Sequence, residues 1–230
     1  MRDSITPPRI GPPPGRLPLY AGPGLVYDAV HLAISLGLEE RIKKFWISRA
    51  VYDDAALILD WGTGTGLSAL QALRLMSSGS KLMLVERQPG MMARAKERLR
   101  IPAAERGVGI VSGSCLEELN LKPASVDVII ASYSLGMLSD KDATLAVQAF
   151  YELLRPGGNL LVIDMRSSER SDSRLGRLFD RTNRLISHVV FGEQFSETLP
   201  NLIGQSFYPE AYKFYGWMQS FSYLARKQPD

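Results

Sequence analysis

Apolar positions along this chain change rhythm several times, and the rhythm marks out the elements. Within Leu25–Ala50 they recur every three or four residues, at Val26, Ala29, Val30, Ala33, Ile34 and Leu36, which is the spacing of one helix face. Gly37 breaks that run, and Glu39 begins a second helix through Ile42, Phe45 and Trp46. Short apolar runs then alternate with helical patterns. The runs are Ala56–Leu59, Leu82–Val85, Gly109–Val111, Val126–Ala131 and Leu160–Ile163, and the patterns between them are Leu67–Met76, Pro89–Leu99 and Lys141–Leu154. Pro89 suits a first helical turn, Asp140 is the expected N-cap of the last helix, and Gly157-Gly158 its expected C-cap. Strand and helix in alternation predict an α/β domain whose parallel sheet is covered on both faces. From Arg166 the pattern predicts a long helix to about Val190, then a looser stretch with Pro200 and Pro209. Trp217–Ala225 reads as a closing strand, antiparallel to the rest.

The first residues stand apart. Pro7, Pro8, Pro12, Pro13, Pro14, Pro18 and Pro23 alternate with Gly11, Gly15, Gly22 and Gly24, a composition that supplies few amide donors and little packing. Residues 1–24 are therefore expected to be a flexible arm, and 25–230 a single domain with a helical cover at 25–50 and a helical lid at 166–204. Prolines also fall where the apolar stretch of a signal peptide would lie. No run reaches the roughly 18 apolar residues of a membrane span, so a cytoplasmic protein is expected. With 45% hydrophobic and 22% charged residues, the composition is that of a globular chain rather than a disordered one. A lone cysteine, Cys115, excludes an internal disulfide and a cysteine-built metal site, and two histidines, His31 and His188, make a histidine centre a poor expectation. The net charge of +3 permits an anionic partner without requiring one.

The candidate chemistry concentrates at Leu57-Ile58-Leu59-Asp60-Trp61-Gly62-Thr63-Gly64-Thr65-Gly66, directly before a helix. Such glycines allow a tight turn and close approach of a ligand, and the amides of the next helix favour polar or negative groups. Alone, the turn fits a dinucleotide, a phosphate or an adenosyl group. Leu67 stands where a dinucleotide fingerprint has its third glycine, and no Lys-Ser or Lys-Thr pair follows, which excludes a P-loop. Asp60 would repel a pyrophosphate and attract a cation. Glu86 closes the second strand, where two carboxylate oxygens match a vicinal diol.

These features resemble the class I S-adenosylmethionine-dependent methyltransferases. Asp60 to Gly66 matches their first motif and Glu86 their ribose acid. Val126-Asp127-Val128-Ile129-Ile130-Ala131 matches their fourth strand, and Leu153-Leu154-Arg155-Pro156-Gly157-Gly158 the turn into their fifth. The resemblance implies a Rossmann-like, mostly parallel seven-stranded sheet ending in an antiparallel strand. It implies S-adenosyl-L-methionine as cofactor, held by Asp60, Trp61, Gly62, Thr63, Gly64, Gly66, Glu86 and Arg87. Ser114 and Cys115 would line the adenine pocket, Ala131, Ser132 and Tyr133 would lie by the methyl group, and Tyr20 and Tyr27 would close the pocket from the N-terminal side. Ser114 departs from the family, which often carries an acid there. Trp61 replaces a small residue and either walls the pocket or packs under the sheet.

Methyl transfer from a sulfonium needs alignment first, and a general base only where the acceptor loses a proton. Ala131-Ser132-Tyr133-Ser134-Leu135 follows the fourth strand in place of the tetrapeptide that marks amide or nucleobase methylation. Tyr27-Asp28 and Ser35-Leu36-Gly37-Leu38-Glu39-Glu40-Arg41 resemble the opening of the ubiquinone/menaquinone C-methyltransferases, shared in part by bacterial phospholipid N-methyltransferases. That resemblance implies a small, lipophilic acceptor. RNA or protein methylation, and a non-catalytic S-adenosylmethionine-binding regulator, are the alternatives. Weak catalytic candidates are His31, Tyr133 and Asp164; His31 and His188 read first as core residues. Arg166, Arg170, Arg174, Arg177, Arg181 and Arg184 form a basic stripe at helical spacing, either solvated or set against an anionic membrane. The modest net charge argues against a nucleic-acid partner.

Overall fold

The computed structural model describes residues 24–166, 198–216 and 219–228. The arm with Tyr20, the arginine stripe beyond Arg166, most of the expected lid, and His188 lie outside the described residues.

Two helices open the domain, α1 (Gly24–Ser35) and α2 (Leu38–Ala50), broken at Gly37 as the pattern predicts. The alternating region follows as β1 (Leu57–Trp61), α3 (Leu67–Leu73), β2 (Lys81–Val85), α4 (Pro89–Arg106), β3 (Gly109–Gly113), β4 (Val126–Ser132), α5 (Asp140–Leu153) and β5 (Leu154–Met165). Single 3₁₀ turns lie at Leu116–Leu119 and Leu135–Met137. The chain closes with α6 (Leu199–Ser206), β6 (Tyr208–Tyr215) and β7 (Ser220–Arg226). Strand order is β3-β2-β1-β4-β5-β7-β6, with β1 to β5 parallel and β7 antiparallel to both neighbours. This is the doubly covered, Rossmann-like sheet of the methyltransferase fold. The order reverses between β1 and β4, and ligands of such sheets bind at the strand ends beside that reversal.

Both faces of the sheet are apolar because its strands are buried on both sides. One core gathers Ile58, Val128, Ile130, Leu161 and Ile163 against Trp46 and Ile47 of α2, Leu73 of α3 and Leu99 of α4. The other gathers Leu59, Trp61, Ile129, Leu160 and Phe221 against Phe150 of α5 and Leu199 and Ile203 of α6. Asp127 closes the sheet at the end away from the reversal. Its Oδ2 accepts from the amides of Ala56 (2.9 Å) and Leu57 (2.7 Å), and Arg155 Nε lies 2.6 Å from Oδ1. Asp127 thus ties β1 to β4 and has a scaffolding role.

Several boundaries differ from the pattern. Ser139 caps α5, its Oγ accepting from the Asp142 amide, so Asp140 is the first helical residue. Gly157 and Gly158 sit inside β5 instead of capping a helix; Gly157 N donates to Lys227 O and Lys227 N to Gly158 O, both at 2.9 Å. Pro200 lies in the first turn of α6, and Pro209 lies in β6, a strand that the looser stretch concealed. Pro209 is tolerated because β6 is an edge strand, with a register shift between Pro209 and Ala211.

Candidate active site

Three consequences of the β1 turn build the site. Gly62 N and Thr63 N both donate to Val85 O, at 2.8 and 3.0 Å, which hangs the loop from β2. Gly62 has φ +72°, and a Cβ there would stand 2.4 Å from Ser134 Cβ, so only glycine lets the loop after β4 approach. Gly64 has φ +55°, and a Cβ there would meet nothing within 4 Å, so the loop presents open space at this point.

Two acids frame that space. Asp60 is fully buried, accepts from Thr63 Oγ1 at 2.6 Å through Oδ2, and leaves Oδ1 without a hydrogen-bond partner. Loss of water pushes its pKa up to about 6; the Thr63 bond, the Lys43 charge and the Ala69 amide oppose the rise. Glu86 Oε2 accepts from Gly64 N at 2.9 Å and Oε1 from Gln88 N at 2.7 Å. Burial raises its pKa as well, against the pull of the amides of Gln88, Gly64 and Arg87. Each Glu86 oxygen still has lone-pair capacity for a second donor, as a diol would require. Ser132 Oγ is buried without a partner. A nucleoside carrying a cationic sulfur fits this donor set: open backbone at Gly64, a two-oxygen acceptor at Glu86, and a buried anion at Asp60.

The other expected residues divide. Alternation along β1 sends Asp60 to one face and Trp61 to the other, where its indole meets Phe150 edge-on at 5.1 Å. Trp61 packs under the sheet and walls no space on the side of Asp60. Ala131 joins the same core as Trp61. Ser114 is exposed and donates both its amide (2.7 Å) and its hydroxyl (2.6 Å) to the Glu118 carboxylate, while Cys115 is half-buried. Glu118 was not singled out from sequence, although it brings an acid to the turn where Ser114 lacks one. Tyr133 has φ +52°, is 9% exposed, and its hydroxyl lies 3.1 Å from Ser220 Oγ. Lys43 Nζ sits 5.2 Å from the Tyr133 ring centroid and 2.6 Å from Glu39 Oε1. Asp164 is committed to the loop after β4: its Oδ2 accepts from Gly136 N at 2.9 Å and its Oδ1 from Met165 N at 2.8 Å. Burial pushes its pKa up to about 6 against those amides. Asp164 thus positions the Ser134–Met137 loop through its amides. The backbone of α1 carries Tyr27 and His31, whose side chains lie outside the described residues.

The cover helix is fastened to the loop. Thr65 Oγ1 donates to Asp28 Oδ1, and the Arg98 guanidinium bridges Asp28, Thr65 Oγ1 and the Thr65 carbonyl. Between α1, α2 and the start of α3 lies a cavity of about 320 Å³, lined by Leu25, Ala29, Leu32, Ser35, Lys43 and Leu67 among others. Among the described residues, no cluster of three or more His, Cys, Asp or Glu side chains could hold a metal ion, and no helix is long and apolar enough to cross a membrane.

Sheet order and the glycine turn with its two acids are those of the class I methyltransferase fold. In comparison with known proteins, residues 58–158 match the methyltransferase-domain family. Over 138 residues the chain is 29% identical to the ubiquinone/menaquinone biosynthesis C-methyltransferase UbiE of Escherichia coli, covering 60% of this chain and 54% of that one. The chain thus spans about half the length of the curated relatives it matches. Among solved structures, the N-methyltransferase NodS from Bradyrhizobium japonicum, in complex with S-adenosyl-L-homocysteine, superposes with a TM-score of 0.57 at 15% identity, over 81% of this chain and 86% of that one. The [4+2]-cyclase SpnF superposes with a TM-score of 0.62 at 17% identity, over 83% and 82%.

Proposed function

We propose that this chain transfers the methyl group of S-adenosylmethionine to a small, lipophilic acceptor of the quinone-precursor or lipid class. The observation that carries the reading is the cavity between the cover helices and the start of α3, where Leu25, Ala29, Leu32 and Leu67 supply apolar wall among charged residues such as Lys43 and Arg98. The likeness to a ubiquinone/menaquinone C-methyltransferase supports the same acceptor class. When bound, S-adenosylmethionine supplies a methyl group already activated on a sulfonium. In this reading Glu86 holds the ribose hydroxyls, the Gly62–Gly64 backbone lies under the nucleoside, and buried Asp60 offsets the positive charge. Ser132 faces the reacting end, and Asp164 and Tyr133 hold the loop after β4 in place. The cover helix and the cavity exclude water from an acceptor aligned with the methyl group, and alignment is the main requirement of such a displacement.

A second reading, binding without transfer, draws on the likeness to a cyclase and on the engagement of Asp164 with backbone amides. Incubation with methyl-labelled S-adenosylmethionine and, separately, an isoprenoid quinol, phosphatidylethanolamine vesicles, bulk RNA and a protein extract distinguishes these. Label extracted with the quinol or lipid supports the proposal. Label in RNA or protein assigns a different acceptor class, and cofactor binding with no transfer to any of them supports the second reading.

A further inference from the structure

Helix α1 presents an apolar face that the described residues leave uncovered. Gly24 and Ser35 are buried against the domain, whereas Leu25 is 62% exposed, Val26 51% and Leu32 53%; Leu36, in the turn that follows, is 79% exposed. Leu25, Ala29, Leu32 and Leu36 follow one another at steps of four, three and four residues, so they form one stripe. Four exposed aliphatic positions in one stripe are more than the scattered surface leucines of an ordinary domain.

The continuation of this face is basic. On α2 the exposed positions include Arg41, Lys44, Phe45 and Arg49 against the single acid Glu40, and the Arg49 guanidinium lies 5.4 Å from the Phe45 ring centroid. Glu40 shares the 320 Å³ cavity with Leu25 and Leu32, so the outer face of α2 begins where the stripe ends. The preceding sequence adds Arg2, Arg9 and Arg16 against Asp3.

We infer that α1 and the outer face of α2 dock on an anionic lipid bilayer, the leucine stripe entering the headgroup–acyl boundary with Arg41, Lys44 and Arg49 on the phosphates. An amphipathic helix binds an interface by this combination of apolar area and attraction to anionic lipid. Charge selects this occupant over the others. In a two-fold pair each face would meet its own kind, setting basic residues against basic residues. The N-terminal residues are basic as well and cannot neutralise the face. The docked orientation also places the cavity against the membrane: Leu25, Ala29 and Leu32 belong both to the stripe and to the cavity wall. This last point rests on the proposed lipophilic acceptor; the docking itself does not.

The test is flotation of the full chain with vesicles of phosphatidylcholine alone and of phosphatidylcholine with 30% phosphatidylglycerol (roughly the anionic fraction that gives a strong surface potential). The wild type is expected to float with the anionic vesicles and to be released by salt. Leu36→Glu and Arg41→Glu/Lys44→Glu should each lower the bound fraction by about tenfold or more, since each removes well over 1 kcal/mol of insertion or attraction. Binding of S-adenosyl-L-homocysteine and far-UV circular dichroism should stay at wild-type values, which separates lost docking from lost fold. A wild type that stays unbound overturns the proposal, as does one that floats equally well in both charge-reversed and leucine-substituted forms. A dimer by light scattering that the leucine change dissociates, with no flotation, assigns the face to a second copy instead. Because the vesicles contain no methyl acceptor, the outcome is independent of whether transfer to a lipophilic acceptor is found.

Discussion

Replacing Asp60 with asparagine tests whether the buried acid recognises the positive charge of the cofactor. Asp60 is held at a pKa of about 6, mainly by loss of water. With that value it is about nine-tenths ionised at pH 7 and about one-tenth at pH 5. If the ionised form binds the sulfonium, affinity for S-adenosylmethionine should fall by about tenfold between pH 7 and pH 5, or ~1.4 kcal/mol. S-Adenosyl-L-homocysteine shares the nucleoside, ammonium and carboxylate but has a neutral sulfur. It therefore reports the titration of Glu86 and other shared contacts, and the ratio of the two affinities isolates the cation. Calorimetry at pH 5, 6 and 7, in buffers of different ionisation enthalpy, should show the ratio falling with acidity. It should also show proton release near pH 6 for the sulfonium compound, because a bound cation lowers the pKa of a neighbouring carboxyl. Asp60→Asn should flatten the ratio. A ratio that is already constant in the wild type, or that varies equally in Asp60→Asn, refutes the assignment of Asp60 as the cation-sensing group.

Three further outcomes are expected. Glu86→Ala should weaken S-adenosylmethionine and S-adenosyl-L-homocysteine to the same degree, by about 2 kcal/mol, since both ribose hydroxyls lose a charged acceptor; calorimetry showing a selective loss for one ligand contradicts the role in ribose binding. The two loop glycines should separate fold from ligand. Gly62→Ala meets Ser134 at 2.4 Å and should lower unfolding stability by about 2–4 kcal/mol. Gly64→Ala meets no atom within 4 Å, so it should cost about 1 kcal/mol in urea unfolding while sharply weakening cofactor binding. Asp164, at a pKa of about 6 against an ordinary 3.8, binds its proton more tightly in the folded state. Its contribution to stability is therefore complete below the ordinary value and lost as pH rises through 6. Between pH 5 and 7 it should remove about 1.3 kcal/mol from the unfolding free energy. Asp164→Asn should remove that part of the slope and leave the similar part that Asp60 contributes, and an unchanged slope counts against the assignment.

What could be read from the sequence followed from where burial leaves a periodic trace. β1, β2, β4 and the core of β5 are covered on both faces, so their apolar runs are continuous and their order was legible. β6 was hidden because it is an edge strand whose residues are largely exposed, so Tyr208, Glu210 and Lys213 alternate with nothing apolar enough to show a period. Asp60 and Glu86 were legible because each ends a strand beside a turn. Trp61 carries two readings because sequence does not say which face of β1 it lies on; the structure packs it against Phe150, on the face opposite Asp60. Asp28 and Asp164 act through distant partners, Arg98 and the amides after β4, and no local spacing reveals such pairs. The expected cap at Asp140 failed by one residue because Ser139 offers the same chemistry one position earlier.

Thr65 has one further importance. It is part of the turn on which the nucleoside is expected to rest, and it is also the anchor to which Asp28 and Arg98 moor the first helix. Lifting that helix must therefore disturb the turn. If nucleoside exchange in the proposed reaction is geared to departure of that helix, the departure sets a ceiling on turnover. Under that gearing, Asp28→Ala should speed dissociation of S-adenosyl-L-homocysteine in stopped-flow measurements, and an unaltered off-rate would show the two movements to be independent.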